Sequence, residues 1–185
     1  MQDANAAYCI ALAELMRSPR NGQSAFRRAT GWAAAAANEE VRGFLAEAEA
    51  QDVPADFDCT DHQGYLRWAF VLAFRCVRNH TVTSVRGAPN CALSQLRQHD
   101  CGCRHLQQGS AYVAALQDTL SRGGDTDTNA CIVGGMIGAL HGVEAIPGHV
   151  RATVLGRHVG SPGNARPEFL QPTDLLNRIR RLHAP

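Results

Sequence analysis

The segment Gly123-Gly124-Asp125-Thr126-Asp127-Thr128-Asn129-Ala130 gathers oxygen-bearing side chains directly behind a pair of glycines. The glycines permit a sharp backbone turn, and the residues after them fall at the start of an apolar helix predicted from about Thr128 to Gly142. Asp125, Asp127 and the Thr128 hydroxyl are hard oxygen donors suited to Mg²⁺ or Mn²⁺. A helix N-terminus is electrostatically unfavourable for a cation, so in that role the carboxylates must outweigh the helix dipole. The same string also reads as an N-cap with a spare carboxylate, which needs no ligand. Arg122 and Asn129 flank it, and surface and capping roles explain them as well as functional ones do.

The predicted helix behind this string must hold it still. Ala130, Gly134, Gly138 and Gly142 recur every four residues, with Gly135 beside them, so one face lacks side chains. Each glycine costs a helix about 1 kcal/mol relative to alanine, a loss that close approach of another helix must offset. His141 on the same helix reads as a packed core histidine.

The remaining periodicity is helical. Asp3 is placed to cap a helix running to Met16, with Tyr8, Leu12, Leu15 and Met16 on one side, and Ser18-Pro19-Arg20-Asn21-Gly22 stops it. Ser24 is expected to open a second helix carrying Phe26 and Trp32. Asn38 is expected to cap a third, in which Val41, Phe44, Leu45 and Ala48 form an apolar stripe. From Tyr65 to Val77 apolar residues cover nearly the whole circumference, which predicts a central helix. Further helices are expected around Tyr112 to Leu120, after Pro147, and from Thr173, the last with Leu175, Leu176, Ile179 and Leu182 inward. No alternating run is long enough for a sheet, so the expected fold is all-α.

A chain of 185 residues and 19.9 kDa suits a single domain, here expected over 1–185. Its charge of +1 removes the non-specific attraction of a basic domain for nucleic acid, so no nucleic-acid partner is expected. All 18 basic residues are arginine, which rules out Schiff-base, P-loop and general-base lysines. The clusters Arg27–Arg28 and Arg178, Arg180, Arg181 read as solvated faces. The 7 cysteines are scattered, without disulfide-scaffold spacing, and no stretch reaches membrane-spanning length. A cytoplasmic protein with no membrane partner is therefore expected.

The string from Ser121 to Pro147, SRGGDTDTNACIVGGMIGALHGVEAIP, resembles the C-terminal signature of the ADP-ribosylglycohydrolase family, which includes the dinitrogenase-reductase-activating glycohydrolases. Asp3 to Tyr8, the Gly64 to Phe74 helix and Arg166 to Leu170 are similar to family segments as well. The resemblance implies an all-α fold around two Mg²⁺ or Mn²⁺ ions that hydrolyses a glycosidic link to ADP-ribose. By matching position, Asp125 and Asp127 would be metal ligands, Asp127 the bridge between ions, and Thr128 a hydroxyl ligand. The ions would orient the distal ribose hydroxyls and a water. The implied partner is an ADP-ribosylated protein or a small ADP-ribose derivative.

Two departures from the family pattern shape the expectation. The upstream Thr-Asp-Asp type string, near the acidic residue that assists catalysis, is not in this sequence, so the catalytic residue has no match here. Asp56, Asp58 and Asp61 form the other close acidic group and read as a solvated loop. The chain is therefore expected to be a C-terminal portion that lacks activity alone and can be complemented by an N-terminal half. The alternative is a catalytically inactive member or truncated gene product with a binding or structural, crystallin-like role. The second departure is residues 78–107, expected to be an irregular, dispensable insertion. Within it Cys91, His99, Cys101, Cys103 and His105 offer zinc donors without the usual Cys-x2-Cys knuckle.

Overall fold

The computed structural model describes residues 1–54, 56–79, 110–157, 160–161, 164–165, 167, 169 and 171–182. Most of the expected insertion and all its candidate zinc donors lie outside these residues. Contacts divide the chain into two compact units, Met1–Ala145 and Ile146–Pro185.

The first unit is built from α1 (Gln2–Arg17), α2 (Gly22–Ala36), α3 (Glu39–Glu49), α4 (Leu66–Asn79), α5 (Ala111–Ser121) and α6 (Thr126–His141). As its composition predicts, α4 is the centre: every residue from Trp68 to Phe74 is buried. Its rings join three helices. Phe74 meets Phe26 of α2 edge-on at 6.1 Å, and Phe70 meets Phe44 of α3 at 6.1 Å and Phe74 at 4.6 Å. Full burial of such side chains stabilises by about 1.5–3 kcal/mol each, so this ladder anchors the bundle.

Helix ends follow local chemistry, with two corrections to the sequence reading. Asn38 caps α3 as expected, its side chain accepting from the Val41 amide at 2.9 Å. Asp3, however, lies in the first turn of α1, and its carboxylate accepts from the Asn38 amide at 2.8 Å; it ties the α3 entry to α1 across 35 positions. The α2 cap is Asn21 rather than Ser24: its side chain accepts from the Ser24 amide at 3.0 Å, while the Ser24 hydroxyl donates to Glu14 at 2.6 Å. In both cases a short polar side chain found a better acceptor or donor on a neighbouring element. The end of α3 is closed by Arg75, whose guanidinium donates to the carbonyls of Glu47, Ala50, Gln51 and Asp52 at 2.8 to 3.4 Å. These include carbonyls that a helix terminus leaves without partners.

The second unit contains α7 (Gly148–Leu155), a two-residue antiparallel pairing of β1 (Gly160–Ser161) with β2 (Asn164–Ala165), and α8 (Leu175–Leu182) after a 3-10 turn at Pro172–Asp174. Apart from that minimal pairing the regular elements among the described residues are helical, in agreement with the all-α expectation. Leu175, Leu176 and Ile179 are 44%, 44% and 42% exposed, so the inward apolar row expected of α8 is corrected to a largely open one. Eight residues make barely two turns, too short to bury a full stripe. No helix among the described residues is long and apolar enough to cross a membrane.

Candidate functional site

Helix α6 begins two residues earlier than periodicity predicts, because Asp125 is its N-cap. The Asp125 carboxylate accepts from the Thr128 amide at a long 3.4 Å, and its carbonyl accepts from the Asn129 amide at 3.0 Å. Asp127 thus lies in the first helical turn, where the positive end of the dipole favours a carboxylate. Helix geometry brings Asp125, Asp127 and Thr128 to one end of α6. Asp127 and Thr128 are exposed and Asp125 is half-buried, so all three can meet solvent or a ligand.

The two carboxyl groups share the N-terminal end of α6. Side-chain hydrogen bonding with Asp127 and then with Thr128 holds the Asp125 carboxyl below the usual carboxylate range. Two carboxylates at one helix end repel one another when both are ionised, and a cation between them relieves the repulsion. With the Thr128 hydroxyl they offer hard oxygen donors of the type Mg²⁺ and Mn²⁺ prefer, so the donor chemistry fits a divalent cation. It fits as part of a coordination shell: among the described residues no group of three or more His, Cys, Asp or Glu converges here or elsewhere.

The turn before α6 is held by a contact that the sequence reading missed. Gly123 and Gly124 have φ of +72° and +71°, a conformation that side chains disfavour. A Cβ on Gly124 would fall 1.8 Å from the Cys59 carbonyl oxygen, and one on Gly123 would fall 3.1 Å from Thr60 Cγ2. The acidic segment around Cys59 is therefore pressed backbone-to-backbone on the metal-type loop. Its carboxylates are exposed, as a solvated loop requires, but each of two is engaged. Asp58 accepts from the Thr60 hydroxyl at 2.6 Å and the Thr60 amide at 2.8 Å, which lower its carboxyl. Asp56 pairs with Arg67 at 3.0 Å.

Aromatic and arginine side chains pin that segment from beneath. Phe57 meets Trp68 edge-on at 4.8 Å, and the guanidiniums of Arg67 and Arg122 lie 5.8 and 6.0 Å from the Phe57 ring centre. Arg122 also pairs with Asp118 of α5 at 3.2 Å. Arg122, weighed as a site residue from sequence, is thus a strut between α5 and the Cys59 segment. The paired positive-φ glycines were the available signal that something approaches closely; which segment approaches needed the fold.

The rest of α6 anchors the site. Val133, Met136, Ile137 and Leu140 are fully buried, and Asn129 is 3% exposed with its side-chain amide nitrogen unpartnered. The glycine face is used, but by side chains. A Cβ on Gly134 would lie 3.3 Å from the Tyr112 hydroxyl and 3.4 Å from Leu116 Cδ2; one on Gly135 would lie 3.0 Å from the Tyr8 hydroxyl. Tyr8 donates to the Ile132 carbonyl at 2.7 Å, and burial raises its phenol to about 12. Gly142, expected to extend the face, instead ends the helix with φ +82° and nothing within 4 Å of its Cβ position.

Two carboxyls and a hydroxyl at the start of a buried helix form a candidate divalent-cation site in a helical frame. The chain belongs to the ADP-ribosylglycohydrolase family: the family model described as ADP-ribosylglycohydrolase matches residues 1–182. The chain is also 53% identical over 38 residues to "Putative ADP-ribosyl glycohydrolase L543" of Acanthamoeba polyphaga mimivirus, a match covering 20% of this chain and 12% of that protein. No solved structure matches.

Proposed function

We propose that the chain contributes one part of a dinuclear Mg²⁺ or Mn²⁺ site that hydrolyses the glycosidic bond between ADP-ribose and a protein side chain or small acceptor. The placement of Asp125 as N-cap and Asp127 in the first turn of α6 carries this reading, because it joins the family match to a donor pair fit for a cation. Asp125, Asp127 and the Thr128 hydroxyl would hold the ions. When bound, they supply Lewis acidity and a positive clamp on ribose hydroxyls and water. The protein's own contribution is placement: Gly124 on Cys59, and Tyr8 on α6, fix the loop and helix that carry the two carboxyls. Such fixed geometry is what lets bond-breaking charge at the sugar be stabilised without rearrangement.

Three ligands on one loop leave much of each ion hydrated, so the acidic catalytic residue and the second ligand set come, in this reading, from an N-terminal half. The substrate is an ADP-ribosylated protein or small ADP-ribose derivative, and the working compartment is the cytoplasm. The alternative, an inactive member with a binding or structural role, is favoured by the same partial shell.

The deciding experiment incubates the purified chain with mono-ADP-ribosylated protein and Mg²⁺ or Mn²⁺, with and without an N-terminal half carrying the Thr-Asp-Asp string. ADP-ribose release is expected at background for the chain alone, well above it on complementation, and at background again for Asp127→Ala. No release on complementation would leave the inactive reading standing. Release unchanged in Asp127→Ala would remove this loop from the site.

A further inference from the structure

A buried amide stands out near the start of α6. The sequence leaves Asn129 a surface or capping role, yet the fold buries it: the residue is 3% exposed, and its side-chain nitrogen has no hydrogen-bond partner among the described residues. Its backbone amide, by contrast, makes an ordinary helical bond to the Asp125 carbonyl at 3.0 Å. A buried donor without an acceptor is destabilising, and an apolar residue in its place avoids that loss. Val133, Ile137 and Leu140 continue the same face at three- and four-residue steps, and all are fully buried. The packing of this face therefore calls for an apolar side chain, and the amide needs another reason to be there.

Helix geometry directs this amide toward the acidic end. Asn129 follows Asp125 by one helical turn, and residues so spaced share a face about 6 Å apart along the axis. Cβ atoms tilt toward the helix N-terminus, so the Asn129 side chain leans back over the turn that Asp125 caps. Asp125 is itself loosely held there: its carboxylate reaches the Thr128 amide at 3.4 Å, longer than an ordinary hydrogen bond. An orphaned donor and a slack acceptor thus occupy neighbouring positions. The Asp125 carboxyl is engaged instead with the side chains of Asp127 and Thr128. Those side chains carry the other oxygens fit to ligate a divalent ion, so occupying them with an ion releases Asp125 to turn.

We propose that Asn129 is a positioning residue of the cation site: with a divalent ion in place, its Nδ2 donates to the Asp125 carboxylate oxygen that the ion leaves free. The inference rests on the reading of Asp125, Asp127 and Thr128 as cation ligands. A carboxylate that ligates through one oxygen keeps the second free to accept, and a donor there fixes its orientation. An amide suits the task because it is neutral. A guanidinium at the same place would set a positive charge beside the ion and oppose binding, whereas the amide supplies the hydrogen bond without charge. The donor left unmet in the cation-free chain is satisfied on binding, which raises the affinity of a site with few protein ligands.

The test titrates the full chain with Mn²⁺ alone, following the free ion by electron paramagnetic resonance. The rise in unfolding temperature on adding Mn²⁺ is a second readout. Asn129→Leu replaces the amide with an apolar side chain branched at the same atom, and Asn129→Ala removes it without any added bulk. Mn²⁺ affinity about tenfold lower or more is expected in both variants. The cation-free Asn129→Leu chain should unfold at or above the wild-type temperature, because the orphaned donor is gone. A side chain needed only for packing gives the opposite pattern, lower stability with unchanged affinity, and that result overturns the proposal. Asp127→Ala separates this inference from the reading beneath it. Weaker binding in Asp127→Ala but not in the Asn129 variants keeps the site and removes Asn129 from it. Equal binding in all four chains, or none in the wild type, removes the site and the inference together.

Discussion

Gly124 and Cys59 meet through their backbones: a Cβ on Gly124 would lie 1.8 Å from the Cys59 carbonyl oxygen and 2.6 Å from its carbonyl carbon. The carbonyl belongs to backbone, so no rotamer change can relieve an added methyl. Through this contact the segment before α4 and the loop before α6 fix one another, which links the position of the acidic pair to the aromatic core under Phe57.

Gly124→Ala is therefore expected to lower stability by about 2 kcal/mol or more, combining a disfavoured positive φ with a backbone clash. Gly123→Ala shares the positive φ but meets only the Thr60 methyl at 3.1 Å, and should cost about 1 kcal/mol. Urea unfolding of both variants checks the order. Equal stability of Gly124→Ala and wild type would show that the two segments are not pressed together.

Arg67 joins Glu47 at 2.9 Å and Asp56 at 3.0 Å while lying 5.0 Å from the Trp68 ring centre. Replacing it with methionine keeps the aliphatic stem and removes two charge-assisted contacts. The expected loss is roughly 2–3 kcal/mol, discounted toward the lower figure because Asp56 is largely exposed. Chemical denaturation of Arg67→Met measures it, and a loss below about 0.5 kcal/mol would reduce the network to surface decoration.

Tyr8 and Gly135 should be energetically coupled. Gly135→Ala alone gains up to about 1 kcal/mol of helix propensity but forces the Tyr8 hydroxyl from its 3.0 Å position and so should destabilise or break even. In a Tyr8→Phe background the hydroxyl is gone, and the same change should stabilise. A double-mutant cycle by thermal unfolding with no coupling would contradict this contact.

Acid should unfold the chain through carboxyls held low in the native state. Asp125, Asp58, Asp56 and Glu14 are all lowered by hydrogen-bonding neighbours: Asp127 and Thr128, Thr60, Arg67, and Ser24 respectively. A lowered native value means that the contribution is complete above the unfolded value and vanishes as pH falls through the native one. Unfolding temperature should thus be flat from about pH 7 to pH 5 and drop below about pH 4, with a shallower drop in Asp58→Asn. A marked fall already between pH 7 and 5 would point to another group.

Mg²⁺ or Mn²⁺ is expected to bind the chain weakly, because the donors supply only part of a shell. Calorimetric titration of wild type and Asp127→Ala reads this directly. Equal affinity in the two would take Asp125, Asp127 and Thr128 out of any metal site.

Much of this protein can be read along the chain because helices repeat locally. The burial of α4 from Trp68 to Phe74, the Asn38 cap and the apolar stripe of α3 depend on residues three and four apart, and the acidic string is contiguous. The family too was legible, since its signature lies in one unbroken stretch from Ser121 to Pro147. Tertiary structure alone decided which distant groups meet. Asp3 caps across 35 positions instead of its own helix, Tyr8 fills the space left by Gly135, and the Cys59 carbonyl rests on Gly124. Local periodicity says which face of a helix is apolar but not which partner covers it. A short polar side chain or a glycine therefore takes its role from whatever packing brings within hydrogen-bond or van der Waals reach.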